Sequence, residues 1–476
     1  MVLAGYLTLA FLISIVEFNR KKPLPFDFVF MFNLWFAGCY AIIPLLILLF
    51  ESDIRKYYHV MGYTFLFGNW YTPWLLIVAY ILFLCGYYSG TNTRFSKKIY
   101  VKNRISEGSL LFCIMISTAS LLLMVIVYCI SNGGLTATIA KGVLTRLTGA
   151  EAEIGRFAFL ARIFVPLLPI LLYYTFYKSI IQKDERRSIY RFLFVIVFGV
   201  FFVIAAIKAG RGFIIFTLLG LYFLYCNYKR KIFKAPLLLM GILLLVFVLF
   251  GKPLLGTIPY IVTGQFGEIE SFLDVKQQVI DDRGMLVEFV RNATHPINSL
   301  QISLSYVDAY KYRYFEDFLS AAIRMIPTAL FGISDIPFST VSFVNTKIIT
   351  SSAEGGIPPG LLGGLVYMLY IPGLLLGCYF YGVLGRSIQN ITRNSLRISN
   401  TTLVPHYLLI FSFGFFIFNG DIAVFIPKNI ILLMFFLIIL LTSRIFIVHH
   451  KPTGIRKNLG TPLKKRMLFH YENCRD

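Results

Sequence analysis

Long apolar stretches separated by short polar segments recur along the whole chain. A helix of about 20 apolar residues crosses the ~30 Å hydrocarbon core of a bilayer. The pattern therefore predicts an all-α polytopic membrane protein with about eleven transmembrane helices. The predicted helices are 2–18, 27–50, 73–90, 109–130, 157–180, 192–209, 212–227, 235–250, 360–384, 402–419 and 429–447.

The composition agrees with a chain surrounded by lipid. Hydrophobic residues make up 57% of the sequence and charged residues only 14%, whereas soluble domains carry about 25% charged residues. The net charge of +22 would suggest nucleic-acid binding in a soluble protein. Here the cations lie in short loops between apolar stretches, so membrane topology explains much of the charge and no nucleic-acid partner is predicted.

The distribution of lysine and arginine predicts which loops face the cytoplasm. With the first loop inside and the others alternating, 28 of the 45 cations fall in or beside inside loops. Eight of the remaining 17 lie in one long outer loop, and long loops count little for this rule. The sequence therefore predicts an outside N-terminus and a cytoplasmic C-terminus.

The long outer loop is predicted to be a domain of its own. It carries 11 of the 23 acidic residues together with many aromatic and aliphatic ones, so it is not a linker. We expect helices near 268–280 and 284–294, and an amphipathic helix near 315–326 on the membrane surface. The predicted organisation is a bundle of eight helices at 1–250, the loop domain at 251–358, three helices at 359–448 and a basic cytoplasmic tail at 449–476.

A turn of sequence Lys-Ala-Gly-Arg-Gly, from Lys208 to Gly212, connects two short predicted helices on the outer side. A charge between short helices lies below the headgroup plane and needs a partner. Arg211 also opens the next helix, where free backbone N–H groups and the helix dipole favour an anion. Lys208 and Arg211 are therefore candidate phosphate ligands. A simple helix connection with a snorkelling cation is the alternative.

A second group of candidates lies in the long loop. If residues 284–295 are helical, Glu288, Arg291 and His295 share one face. A carboxylate, a guanidinium and an imidazole could together supply an acid–base group and a phosphate clamp, although a solvated ion pair has the same pattern. The other candidate phosphate-binding cations are Arg283, Arg324 and Arg146, while Lys428 is equally well explained as an interface anchor.

The entry to the ninth predicted helix reads Glu-Gly-Gly-Ile-Pro-Pro-Gly from Glu354 to Gly360. Its prolines suit a first helical turn and its glycines allow close helix approach, so the segment also has a structural explanation. Glu354 is the candidate base or ion partner within it. Asp281 and Asp282 are too small a set to indicate a metal, and no nucleotide-binding or zinc motif occurs, so no cofactor is predicted.

These motifs resemble the Wzy-type oligosaccharide repeat unit polymerases, the O-antigen polymerases of bacteria. The resemblance covers roughly 130–430 and rests on the Gly-Arg-Gly turn, the long outer loop, the Glu-Gly-Gly-x-Pro-Pro-Gly entry and the His-Pro…Ser-Leu sequence from His295. One departure is Lys428, where an arginine is expected near the start of the last helix. Lysine cannot form a bidentate clamp.

The resemblance implies a GT-C-like, metal-independent glycosyltransferase of the bacterial inner membrane. Its substrates would be undecaprenyl-diphosphate-linked oligosaccharides in the membrane lipid, with a chain-length regulator protein as a further partner. The leaving group is a diphosphate, which guanidinium groups stabilise as its charge develops. We therefore expect Arg211, Arg283 and Arg291 to hold phosphate. Glu354 or His295 would accept the proton of the attacking sugar hydroxyl.

Three other functions compete with this interpretation. An O-antigen ligase performs the same chemistry on a different acceptor, and the sequence separates the two poorly. A lipid-linked oligosaccharide flippase is less consistent with the long outer loop, because such transporters have evenly spaced helices related by repeats. A non-enzymatic chain-length or export scaffold would not need the cationic turn.

Overall fold

The computed structural model describes residues 1–22, 24–50, 70–89, 106–148, 158–181, 186–208, 211–236, 294–306, 312–325, 339–350, 356–396 and 403–449, with scattered positions between 238 and 293. These residues are helical or lie in the connections between helices. Arg283, Arg291, Glu354 and most of the segment 235–294 lie outside the described residues, so the structure does not test the predictions made for them.

The described helices are numbered α1 to α14 in chain order. They are α1 Val2–Asn19, α2 Phe28–Leu49, α3 Thr72–Tyr88, α4 Glu107–Ser131, α5 Leu135–Thr148, α6 Ala158–Phe176, α7 Arg187–Lys208, α8 Arg211–Lys229, α9 His295–Tyr306, α10 Glu316–Arg324, α11 Val341–Thr350, α12 Gly360–Leu396, α13 Leu403–Asn419 and α14 Ile422–His449. A π-helical turn, Gly38–Ile42, lies within α2, and another, Tyr177–Ile181, extends α6.

Eight of the described helices are long and apolar enough to cross a membrane. Two shorter apolar helices, Thr72–Tyr88 and Leu403–Asn419, accompany them. Many large apolar side chains on these helices are exposed, as lipid contact requires. The all-helical architecture is that of a polytopic membrane protein, as the hydropathy pattern predicts.

A buried ion cluster joins the first two helices. Arg20 donates to Glu17 at 2.8 Å and to Asp27 at 2.6 Å. Asp27 also accepts from the Phe30 N–H and so caps the start of α2. We call this side of the bundle the Phe28 end and the opposite side the Leu49 end. Helix α8 reaches the Phe28 end, where the side chain of Asn227 bonds the backbone of Phe26.

The prediction of one continuous helix over 360–384 is wrong. The backbone leaves the helical region at Leu369 and at Tyr370, where φ is 58°. Leu365 contacts both Gly373 and Gly377. In a straight helix Leu365 and Gly377 would be about 18 Å apart, so α12 folds back on itself as a hairpin. Pro372 lacks the N–H that a continuous helix would use. The freed carbonyls of Tyr367 and Met368 accept from the N–H groups of residues 313 and 314 at 3.0 and 3.2 Å.

Four helices occupy segments that the sequence presents as loops. Helix α10 confirms the expected helix near 315–326, and it ends at Arg324. Helices α5, α9 and α11 were not predicted, although Thr138, Ile139 and Val143 form a buried stripe that indicates α5. Helix α9 packs against the α12 hairpin, and residues 296–304 are buried. Part of the long loop is thus built into the helix bundle.

Candidate functional site

Four chain segments meet at a tight junction beside α2. The backbones of Gly360 and Gly420 touch, and both glycines have positive φ, at 69° and 66°. A side chain at Gly360 would collide with Tyr40 and with Pro296. This junction therefore joins α2, the start of α9, the entry of α12 and the turn between α13 and α14.

The junction is recessed within the bundle. Tyr40 lies about 20 Å along α2 from Asp27, and the helix continues to Leu49 at about 33 Å. Arg211 lies about 24 Å along α8 from Asn227, which is level with Phe26. The helix start at Arg211 and the junction are thus within about one helical turn of the same height. Both are roughly 10 Å below the Leu49 end.

Aromatic contacts connect α8 to the junction. Phe216, on the second turn of α8, lies 4.4 Å from Phe415, measured between ring centroids. Phe415 lies 5.6 Å from Phe418, and Phe418 lies 4.3 Å from the ring of His295. Trp35 contacts both Phe216 and Phe418. The structure therefore brings the helix that begins with the Gly-Arg-Gly turn close to His295.

A second close contact brings α5 to the same turn. Gly142 packs directly on the carbonyl of Ile207, and a Cβ atom at this position would overlap that carbonyl. Arg146 follows Gly142 by about one helical turn, and Lys208 and Arg211 follow Ile207. The backbone positions of these three predicted phosphate ligands are thus near one another. Lys208 is exposed, and its Nζ lies 5.6 Å from the Phe213 ring.

His295 is the predicted catalytic residue that the structure describes most fully. It begins α9, and its ring bonds the backbone of Phe418. Burial lowers the pKa of His295 to about 4, so the imidazole is neutral near pH 7. Its Nε2 is buried and has no partner among the described residues. A neutral imidazole bound through one nitrogen offers the other to a donor such as a hydroxyl group.

The lowered pKa of His295 predicts acid sensitivity. The unfolded chain binds the proton near pH 6.5 and the folded chain only near pH 4. Above pH 6.5 the imidazole is neutral in both states, so His295 does not change the free energy of unfolding. As the pH falls from 6.5 toward 4, only the unfolded chain takes up the proton, and the folded state loses stability. We expect His295→Gln to reduce the loss of thermal stability between pH 7 and pH 5, measured against wild type in the same detergent. An equal loss in both proteins would contradict the buried neutral imidazole.

A second unpartnered nitrogen lies across Phe418 from His295. Trp35 Nε1 is buried and has no hydrogen-bond acceptor within the described ranges. Buried polar groups in native proteins are nearly always paired. A hydroxyl group satisfies either atom, since it accepts from an indole N–H and donates to an imidazole nitrogen. Each of these two atoms can therefore take one further hydrogen-bond partner.

A polar network holds the entry segment of α12 in place. Asn345 of α11 donates to Ser299 of α9 and to the carbonyl of Ile357, each at 2.9 Å. Tyr367 donates to Asn345 at 3.0 Å, and Thr346 accepts from the Ile357 N–H. The segment 356–359, which begins two residues after Glu354, is thereby attached to the helix of His295.

A buried charge cluster near the same junction was not predicted. Arg313 binds Asp317 at 3.1 Å, and Asp317 also accepts from the Val341 N–H at 3.0 Å. Burial raises the pKa of Asp317, and Arg313 opposes that rise. Asp421 caps α14 through Val424 and accepts from Ser342. The i, i+4 spacing of Arg313 and Asp317 is the one sequence signal that could have indicated this pair.

The other predicted residues have more ordinary surroundings. Arg324 is half-buried at the end of α10, and its Nε donates to Ser320 at 3.2 Å. Lys428 is exposed on α14. Thr294 is not helical and His295 starts a new helix, because Pro296 suits a first helical turn. Glu288 and Arg291 lie outside the described residues, so the shared helical face predicted for Glu288, Arg291 and His295 stays a prediction.

Comparison of the chain with family models, with curated proteins and with solved structures returns no match.

Proposed function

We propose that the protein is a polymerase of undecaprenyl-diphosphate-linked oligosaccharide repeat units, a glycosyltransferase acting at the periplasmic face of a bacterial inner membrane. The observation that carries this proposal is the common height of two features. The helix start at Arg211 lies level with the junction that holds His295 and the segment after Glu354. A cationic helix start and a hydroxyl-binding region at one membrane depth suit a lipid diphosphate and a sugar.

The cationic turn would hold the diphosphate of the donor. Gly142 of α5 packs on Ile207 near the end of α7, and Arg146, Lys208 and Arg211 each follow one of these two residues by at most about one helical turn. A helix N-terminus adds backbone N–H groups to these charges. In this proposal the turn, which lies below the Leu49 end, is at the depth of the headgroup of a polyprenyl diphosphate. Electrostatic stabilisation of the departing diphosphate would then supply most of the catalysis.

The proton acceptor in this proposal is Glu354 rather than His295. A neutral imidazole with a pKa of about 4 is a weak base, and the best general bases have a pKa near the working pH. His295 instead accepts a hydrogen bond through Nε2 and orients a sugar hydroxyl. Glu354 lies outside the described residues, so its role rests on its place in the chain two residues before the segment attached to α9 and α11.

The membrane arrangement follows from the same assignment. The Leu49 end is the periplasmic end, which leaves the N-terminus outside and the C-terminus in the cytoplasm. Eleven transmembrane helices and a GT-C-like architecture belong to this proposal, as does a chain-length regulator as partner. The hairpin of α12 suits such an architecture, because irregular backbone at membrane depth is tolerated where it is buried in protein or lines a cavity.

The polysaccharide of a deletion strain tests the proposed function. Loss of a polymerase leaves single repeat units on the outer leaflet, and the wild-type gene restores the ladder of chain lengths. Long polymer retained on undecaprenyl diphosphate would indicate a ligase. Substrate trapped on the inner leaflet would indicate a flippase. Unchanged ladders would contradict all three functions.

A further inference from the structure

The α12 hairpin encloses a cavity that the proposed mechanism does not use. Its volume is about 230 Å³, and it lies between the two arms of the hairpin, α13, α10 and the start of α14. Leu361 and Leu365 line it from the first arm, and Phe380 and Leu384 from the second. Asp317 is the one charged residue among those that line it.

The chemistry of the cavity favours an apolar occupant. Both carboxylate oxygens of Asp317 are already bonded to Arg313, and one of them also to Val341. The rest of the lining is almost entirely apolar, and apolar cavities do not hold ordered water. Phe380 and Leu384 are 62% and 42% exposed on the outside of the bundle, so the cavity borders the lipid. A hydrocarbon chain is the ligand that such a cavity accepts.

The cavity and the cationic turn lie on opposite faces of α13. Phe415 and Phe418 face α8 and His295. Phe416 faces the cavity, which Gly420 also lines. The contact between Gly360 and Gly420 separates the two regions. A lipid whose diphosphate is held by Arg211 would therefore not place its chain in this cavity.

From this separation we infer that the α12 cavity binds the isoprenoid chain of the second, acceptor lipid-linked oligosaccharide. This inference rests on the proposed function, because a polymerase uses two lipid-linked substrates at once. The attacking hydroxyl is at the far end of the acceptor oligosaccharide. The two lipid chains can therefore lie on different faces of α13 while the reacting sugars meet near His295.

Photo-crosslinking tests the inference without requiring turnover. The probe is a lipid-linked repeat unit with a benzophenone on its isoprenoid chain, added to the purified full chain in nanodiscs. We expect labelling of the 380–384 segment, and competition by unlabelled lipid-linked unit. Leu384→Trp fills the cavity and should reduce this labelling about tenfold. Leu376→Trp is the matched control, since Leu376 is 56% exposed on the same arm and does not line the cavity.

Two further measurements distinguish failure of the cavity inference from failure of the proposed polymerase function. Arg211→Ala should abolish polymer formation and leave the labelling of the cavity unchanged. Equal labelling by a benzophenone-bearing phosphatidylglycerol, without competition by the lipid-linked unit, would overturn the inference and mark an ordinary lipid contact. An active polymerase without cavity labelling would overturn it as well. Specific labelling of a chain without polymerase activity would contradict the proposed function but retain an isoprenoid site.

Discussion

Replacement of Arg211 by alanine is expected to abolish long glycan chains and leave single-unit glycolipid. The backbone of this residue opens α8 near the height of the junction, close to the contact of α5, which carries Arg146, with the end of α7, which carries Lys208. Removal of a preorganised charge that stabilises a leaving group typically costs about 100-fold or more in rate. We would measure polymer length by gel and the initial rate with purified lipid-linked units.

Two further variants serve as controls for Arg211→Ala. Arg211→Lys keeps the charge but loses the planar guanidinium fork, so we expect an intermediate rate. Arg191→Ala changes an exposed cation near the other end of the α7–α8 helix pair and should leave the ladder intact. A normal ladder with Arg211→Ala would remove the basis for a diphosphate site at this turn.

The second large effect is expected on stability. Arg313 and Asp317 are 6% and 2% exposed and form a buried pair beside the α12 hairpin. Arg313→Met leaves Asp317 buried without its cation, which we expect to cost about 3–5 kcal/mol. The variant also loses the bond from Arg313 to the carbonyl of Ser339. Unfolding by SDS titration in mixed micelles would measure the difference from wild type.

A double variant distinguishes charge burial from lost packing. Arg313→Met combined with Asp317→Leu removes both charges, and paired apolar replacements of buried ion pairs are often close to neutral. We therefore expect the double variant to be more stable than Arg313→Met alone. Glu316→Gln is the surface control, because the Glu316 side chain is 47% exposed and such pairs contribute about 1 kcal/mol or less. A double variant less stable than the single one would show that the ion pair itself stabilises the fold.

The hydropathy pattern predicts most of the membrane helices within a few residues. Predicted and observed limits agree closely at 2–18 and Val2–Asn19, and at 109–130 and Glu107–Ser131. This success has a physical reason, since each spanning helix must satisfy its own backbone and expose apolar side chains to lipid. Both requirements act within one segment and do not depend on its neighbours.

The α12 hairpin shows where that reasoning stops. Residues 360–384 are apolar throughout, so hydropathy alone indicates one helix. The break is possible because residues 313 and 314 supply N–H groups to the freed carbonyls. These partners come from a distant part of the chain, and no local pattern identifies them. Helices α9 and α11 were not predicted for the same reason. Their polar residues pair across the two helices, as Asn345 does with Ser299, and a local pattern does not reveal such pairs.

The candidate site divides in the same way. The sequence by itself determined the membrane class and the unusual arginine turn, because a cation between apolar helices is costly and stands out locally. Only the tertiary structure decided that Arg211 starts its helix level with His295, and that Asp317 is buried beside Arg313. Those placements arise from long-range contacts, such as Gly142 with Ile207 and Gly360 with Gly420. Close approach of backbones depends on shape complementarity between helices, which hydrophobic periodicity does not encode.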